Sequence, residues 1–283
     1  MGYRLFAMDT WFWQAPGWYP FAVRWEMLQT LGYDGGYHVL GPEAAWQEVP
    51  LLAQVPSRYG LEVAAVWFSL DLTWPRDSAP YQRRRHLVET LTGCSALEVA
   101  ILASDPAIRP SDPALDGLAI ERLAPLIERA AARGLTLSLY PHRGYWLERT
   151  DDALRLWQAI GQPTVGVVFS SYHWYAADRQ DLAALLTRAA PALRSVNLCG
   201  CRTLRCGDRT LPLVEPLDQG DLDTFALLGL LRTIGYQGPI ILQGYGLGGD
   251  IYAQLARARR TLREMEERLA RFPHWGRLAP QGS

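Results

Sequence analysis

The chain has 283 residues, 49% hydrophobic and 20% charged, with a formal net charge of −1. That apolar content suits one large core and excludes a disordered chain, and the lack of a net positive field argues against a dedicated nucleic-acid binder. Every cation is arginine and lysine is absent, which excludes imine chemistry on a lysine amine and the lysine-bearing phosphate loop.

Taken in chain order, short runs rich in Val, Ile, Leu or Phe predict strands at residues 4–8, 35–40, 61–68, 96–102, 135–140, 165–169, 195–199 and 239–243. Helical periodicity lies between most of them, clearest over 120–133, 152–160, 182–189 and 224–234. Two connections repeat: Leu31-Gly32-Tyr33-Asp34-Gly35 and Ile234-Gly235-Tyr236-Gln237-Gly238 each read as a helix stopped at glycine, a turn, then a buried strand. A last helix over 251–269 is dense in Arg and Glu, so one face should be solvated. The tryptophan-rich stretch 11–18 reads as a loop over the mouth, and the Pro- and Gly-bearing tail, 273–283, is expected to fray.

Strands alternating with helices predict an α/β fold, a single (β/α)8 TIM barrel over residues 1–272. A doubly wound sheet fits less well, because no G-x-G-x-x-G follows the first strand. No apolar run approaches a membrane span. The N-terminus lacks the basic start and apolar stretch of a secretion signal, so the expected location is cytoplasmic unless a leader was trimmed. Four cysteines in this length make no disulfide framework.

Reacting groups in such barrels lie at the carboxyl ends of the strands. Those ends supply Asp9, Trp11 and Trp13; His38; Ser69 and Asp71; Asp105; Tyr140 and His142; Ser170 and His173; Asn197, Cys199 and Cys201; and Gln243 and Tyr245. Three of the five histidines are on this face, leaving His86 and His274 elsewhere. Imidazole is the usual proton carrier near neutral pH and also a metal ligand. The plain alternative is three polar side chains closing hydrogen bonds at the mouth. Cys199, Cys201 and Cys206 could hold zinc, but the spacing is not C-x-x-C, and free thiols in a loop are the better reading; a cysteine nucleophile beside His173 is a further alternative. Cys94 precedes strand four and reads as packing. Residues 244–249 form a glycine-rich turn, where Asp250 at the next N-cap and the lack of lysine disfavour a phosphate; Arg143, Arg202 and Arg205 are candidate anion partners.

The run Leu139-Tyr140-Pro141-His142-Arg143-Gly144, followed by Glu148-Arg149-Thr150-Asp151-Asp152-Ala153, resembles strand and helix five of the sugar phosphate isomerase/epimerase family, within the xylose-isomerase-like TIM-barrel superfamily. Strand six, Val165-Gly166-Val167-Val168-Phe169-Ser170-Ser171-Tyr172-His173-Trp174, resembles that family too, as do Glu215-Pro216-Leu217-Asp218-Gln219-Gly220-Asp221-Leu222-Asp223, Gly235-Tyr236-Gln237-Gly238-Pro239-Ile240 and Gln243-Gly244-Tyr245-Gly246-Leu247-Gly248-Gly249-Asp250. The likeness is strongest over residues 120–250.

The resemblance implies a divalent metal held by acidic residues and a histidine at four strand ends. Here those positions are Tyr140, Ser170, Asn197 and Gln243, none keeping its ligand type, so no cofactor is certain and a divalent metal remains possible only with a rebuilt ligand set. A repositioned metal would draw on His142 and His173, the weak metal candidates, with His38 as a further ligand and Asn197 or Gln243 filling in. The zinc cluster of the related DNA-repair endonucleases cannot be filled by five histidines, two of them misplaced.

The expected function is acid/base proton transfer on a carbohydrate or related hydroxylated small molecule, giving isomerisation, epimerisation or elimination without the standard metal site. His142 and His173 are the expected acid/base pair, with Asp71, Asp9 or Asp105 orienting a ring. The expected substrate contacts are Tyr140, Asn197, Gln243, Ser170, His38, Asp71, Trp11, Trp174 and Tyr245. The alternatives are a non-catalytic binding barrel, its mouth lined by Trp11, Trp13, Trp146, Trp174 and Tyr245, or a family member turned to a non-sugar substrate. Neither a nucleic-acid nor a membrane partner is expected, and nothing in the sequence sets an oligomeric state.

Overall fold

The structure is a computed structural model and describes residues 2–14 and 17–277. Eight parallel strands close a barrel in chain order: β1 (Leu5–Met8), β2 (Gly35–Val39), β3 (Glu62–Asp71), β4 (Ala96–Leu102), β5 (Thr136–Leu139), β6 (Val165–Ser170), β7 (Leu193–Leu198) and β8 (Ile240–Leu242). Strand β1 pairs with β2 on one side and β8 on the other, which closes the ring. All eight predicted strands are present. Strand β3 runs on to Asp71, beyond the expected end at residue 68, because Ser69, Leu70 and Asp71 keep pairing with Ala100, Ile101 and Leu102 of the apolar β4.

The period-2 alternation of strands divides the core. Phe6, Tyr37, Trp67, Tyr140, Val168 and Ile241 pack inside the barrel. Leu5, Val66, Leu97, Leu137, Val167 and Leu242 pack outward against the helices. Those helices include Phe21–Leu31, Ala79–Thr90, Asp116–Ala132, Thr150–Ile160, Leu182–Ala189, Thr224–Thr233 and Ile251–Arg271. The two repeated connections end their helices as predicted: Gly32 and Gly235 take left-handed φ values of 70° and 72°, a conformation that costs glycine little.

Three expectations change. Residues 199–206 are not a loop: Gly200–Cys206 pairs antiparallel with Arg209–Glu215 as a hairpin turned at Gly207. Its alternation buries Cys201 against Cys199 and Val214 while Cys206 is exposed near the turn, so the three cysteines cannot share one metal. Second, the tail does not fray directly after Phe272: Pro273–Gly276 makes a 3-10 turn, and an added Cβ on Gly229 would lie 2.4 Å from the Gly276 carbonyl oxygen. Residues 278–283 lie outside the described residues. Third, the stretch after β1 is ordered as a 3-10 turn, Asp9–Phe12, and a short hairpin pairing Trp13 with Trp18; residues 15–16 lie outside the described residues.

Candidate active site

The carboxyl ends of the strands surround a cavity of about 410 Å³, lined by Met8, Thr10, Trp13, Tyr37, Trp67, Tyr140, His142, Arg143, Tyr145, Tyr172, His173, Gln243 and Tyr245 among others. Among the described residues no Asp or Glu lines it, and Arg143 is the one charged side chain that does. Three polar atoms of the lining residues are buried without a partner: Thr10 Oγ1, Trp13 Nε1 and Gln243 Oε1. Unpaired buried polar atoms are costly, and these three belong to residues that line the cavity.

His142 and His173 come together as expected, their ring centroids 4.1 Å apart. The loop after β5 sets the first. The His142 N–H donates to the Leu147 carbonyl at 2.8 Å, the Tyr145 N–H to the His142 carbonyl at 3.0 Å, and buried Trp146 anchors the loop by donating to the Asp112 carbonyl at 3.1 Å. His173 ends a short helical turn, Ser171–His173, whose N-cap is the Ser170 hydroxyl, accepting from the His173 N–H. None of Asp9, Asp71 or Asp105 orients either ring. The backbone of Arg143 orients both. Its carbonyl lies 3.0 Å from His142 Nδ1, and its N–H donates to His173 Nδ1 at 3.1 Å.

A carbonyl only accepts and an amide N–H only donates, so the two imidazoles hold opposite tautomers. His142 carries its proton on Nδ1 and offers a bare Nε2 lone pair. His173 accepts at Nδ1 and carries its proton on Nε2. Both rings are neutral: burial pushes His142 down to about 4, and burial, then the neighbouring His142 and Arg143, push His173 well below the ordinary histidine range.

Several expected contacts lie elsewhere. His38 is on the outward parity of β2, between inward Tyr37 and Val39. Its Nδ1–H donates to Asp9 at 2.7 Å and its Nε2–H to the Ala45 carbonyl at 2.9 Å, so neither nitrogen can reach a substrate. Asp9 also accepts from fully buried Arg24 at 2.8 Å, and Arg24 continues to Glu48. Asp71 turns back to its own loop, accepting from Thr73 N–H, Thr73 hydroxyl and Ser104 N–H at 2.9, 2.8 and 3.2 Å. Trp11 is core, its indole N–H donating to the Leu242 carbonyl at 2.8 Å and its ring lying against Gly244, where an added Cβ would come within 2.0 Å. Trp174 packs beside the Cys199 cluster, outside the cavity lining. Ser170 and Asn197 sit behind the lining, in contact with Tyr140, and Asn197 Nδ2 donates to the Tyr140 hydroxyl at 3.1 Å. Tyr140 and Gln243 line the cavity as expected, and Tyr245 stands at its rim, 60% exposed.

The four family ligand positions therefore gather on one side of the site, but they do not fit a divalent cation. Burial pushes the Tyr140 phenol well above its usual range and keeps it neutral, and Ser170, Asn197 and Gln243 bring only neutral oxygens. Among the described residues no group of three or more His, Cys, Asp or Glu is placed to hold a metal. The glycine-rich turn is no anion cradle either: the Asp250 carboxylate occupies the following helix N-terminus, accepting from Ala253 N–H at 3.1 Å.

Tyr37, Trp67, Tyr145 and Tyr172 were not anticipated. The first two were readable from the inward parity of their strands. The largest omission is Glu98, inside the barrel on β4. Its carboxylate accepts from the Tyr37 and Ser195 hydroxyls, each at 2.5 Å, and burial, partly offset by those bonds, raises it to about 7.

Comparison with known proteins agrees with the barrel fold. A curated relative, 2-oxo-tetronate isomerase of Cupriavidus necator, is 27% identical over 124 residues, 42% of this chain and 44% of that protein. The match thus spans under half of the relative's length. Among solved structures, a xylose isomerase-like TIM barrel/4-hydroxyphenylpyruvate dioxygenase fusion protein superposes with a TM-score of 0.77 at 17% identity, over 99% of this chain and 46% of that one. L-ribulose 3-epimerase does so with a TM-score of 0.72 at 16% identity, over 99% of this chain and 100% of that one. At such identities the superpositions show a shared fold. No helix among the described residues is long and apolar enough to cross a membrane. The xylose isomerase-like TIM barrel family model matches residues 26–267, and the chain belongs to that family.

Proposed function

We propose that the cavity catalyses isomerisation or epimerisation of a small hydroxylated carbonyl compound by moving a proton at carbon. One observation carries the reading: two neutral imidazoles, 4.1 Å apart, are held in opposite tautomers by a single residue's backbone. His142 Nε2 is the base that takes a proton from the carbon beside a carbonyl. His173 Nε2–H is the donor that stabilises the oxygen on which charge develops. No step runs through a metal. Gln243 and Thr10 offer hydrogen bonds to hydroxyls, and Tyr145 and Trp67 offer faces for a carbon skeleton. Arg143 matches one carboxylate, since a guanidinium pairs with it one to one. The relative named as acting on 2-oxo-tetronate supports a substrate of that class.

The test is solvent-deuterium wash-in, followed by proton NMR, on a panel of ketoses and 2-oxo sugar acids that includes 2-oxo-tetronate. The reading expects exchange at the carbon beside the carbonyl, lost by about 10²–10⁴-fold in His142→Ala. The aromatic lining favours a second reading, a binding barrel without chemistry, for which a panel member would bind tightly and exchange nothing.

A further inference from the structure

The reaction proposed above leaves one proton without a carrier. Moving a carbonyl along a carbon chain needs a proton at carbon and another at oxygen. His142 takes and returns the first. Neither imidazole holds a second proton at neutral pH, because burial depresses both. Losing the Nε2 proton outright would make His173 an imidazolate, which is unfavourable in a buried site.

Among the described residues, Glu98 beside the cavity is raised into the neutral range. Glu98 is buried inside the barrel, its carboxylate 2.5 Å from the hydroxyl of Tyr37, and Tyr37 lines the cavity. The charge of Glu98 is felt by Tyr37, Tyr140, Tyr236 and Cys94. Burial raises all four of these, Cys94 to about 11, so none ionises near pH 7, and no cation contributes to the state of Glu98. The amide of Asn197 stands against the Tyr37 hydroxyl, while its own Oδ1 is buried with no partner. With the Tyr37 hydroxyl 2.5 Å from Glu98, a protonated Glu98 can donate its proton to the Tyr37 oxygen and leave the Tyr37 O–H free to turn away from it.

We propose that Glu98 is the proton store of this site, acting through Tyr37 on the oxygen of a bound substrate. This rests on the proton-transfer reading given above. As His142 takes the proton from carbon, the Tyr37 O–H bond breaks toward the substrate oxygen and the Glu98 carboxyl proton replaces it on Tyr37. The enediol, a Glu98 carboxylate and a His142 imidazolium result. In the second half both protons retrace these routes, His142 to the neighbouring carbon and the neighbouring enediol hydroxyl to Tyr37 and Glu98, so the balance closes with no co-reactant.

The test joins a measurement that needs no substrate to one that does. Difference infrared spectra across a pH titration of the full chain should show the carbonyl band of a protonated, buried carboxyl that disappears with a midpoint near 7 and is missing in Glu98→Gln. Deuterium wash-in with 2-oxo-tetronate should fall as pH rises past 7 in the parent protein. Both Glu98→Gln and Tyr37→Phe should lose about a hundredfold in rate, with the infrared band kept in Tyr37→Phe. No such band between pH 5 and 9 (roughly the span over which a carboxyl raised this far would titrate) overturns the proposal, and so does a Tyr37→Phe or Glu98→Gln protein with unchanged rate and pH profile. In the latter case the histidine reading stands alone. A titrating band without exchange on any substrate keeps the store and removes the isomerase reading.

Discussion

Replacing Arg24 with methionine tests the buried charge cluster that anchors the strand ends beneath the site. Arg24 is 2% exposed, donates to Asp9 at 2.8 Å and reaches Glu48 with its other nitrogen. Asp9 also accepts from His38 at 2.7 Å. Burial would raise Asp9, but Arg24 and His38 outweigh it and hold its carboxyl below the usual range; burial would lower His38, but Asp9 outweighs it and holds the imidazole above its usual range. Methionine fills much of the volume yet leaves Asp9 with the His38 charge alone and Glu48 with none. Breaking a buried pair on one side costs about 3–5 kcal/mol. For a chain of 283 residues, where each kcal/mol shifts Tm by roughly 2 °C, that is about 6–10 °C. The sign of the pH dependence follows from the two directions. The stability from His38 is complete below the ordinary histidine range and is lost as pH rises through its raised value. That from Asp9 is complete above the ordinary aspartate range and is lost as pH falls through its depressed value. Calorimetric melts from pH 2 to 9, with Asp9→Asn and the double variant closing a cycle, measure all of this. A loss under about 1 kcal/mol for Arg24→Met would place the cluster with hydrated surface pairs and refute the reasoning.

Further outcomes follow from individual contacts. Gly244→Ala puts a Cβ about where the Trp11 ring stands, 2.0 Å from its Cδ2; binding of site ligands should weaken with a smaller loss of thermal stability, and unchanged affinity would show that Gln243 does not depend on this packing. Arg143→Gln keeps the backbone that orients both histidines and removes the one charged side chain among the described residues lining the cavity; calorimetry should show carboxylate ligands weakened by about tenfold or more, from the roughly 1.5–3 kcal/mol of a charged hydrogen bond, and neutral sugars little changed. His142 is depressed to about 4, so its base form is complete at neutral pH and the acid limb of the exchange rate should lie near pH 4. An acid limb at pH 6 to 7 would mean a solvated imidazole.

The barrel was legible because eight apolar runs alternate with helical periods, and the repeated glycine stops at Gly32 and Gly235 mark where helices end. Much of the site was legible from strand ends alone: His142, His173, Tyr140, Gln243 and Tyr245 do meet at one cavity. His38 was misplaced because nearness to a strand end does not decide parity, and the flanking Tyr37 and Val39 take the inward positions. Asp71 was misplaced because a carboxylate at a strand end can cap its own loop, as it does with Thr73. Glu98 looked like a stray charge in an apolar strand; only closure of the barrel sets Tyr37 and Ser195 around it. The hairpin after β7 was hidden because its outward side chains, Arg202, Leu204, Leu211 and Leu213, follow no single apolar pattern. The role of Arg143 lies in its backbone, which no side-chain motif reveals.

The central claim, two neutral imidazoles in opposite tautomers, can be observed without knowing the substrate. Long-range nitrogen–proton correlation spectra of protein labelled with nitrogen-15, assigned with His142→Ala and His173→Ala, report the protonation of each ring nitrogen. At pH 7 the account predicts His142 as the neutral Nδ1–H form and His173 as the neutral Nε2–H form. The same tautomer in both rings, or a charged ring in either, would contradict it.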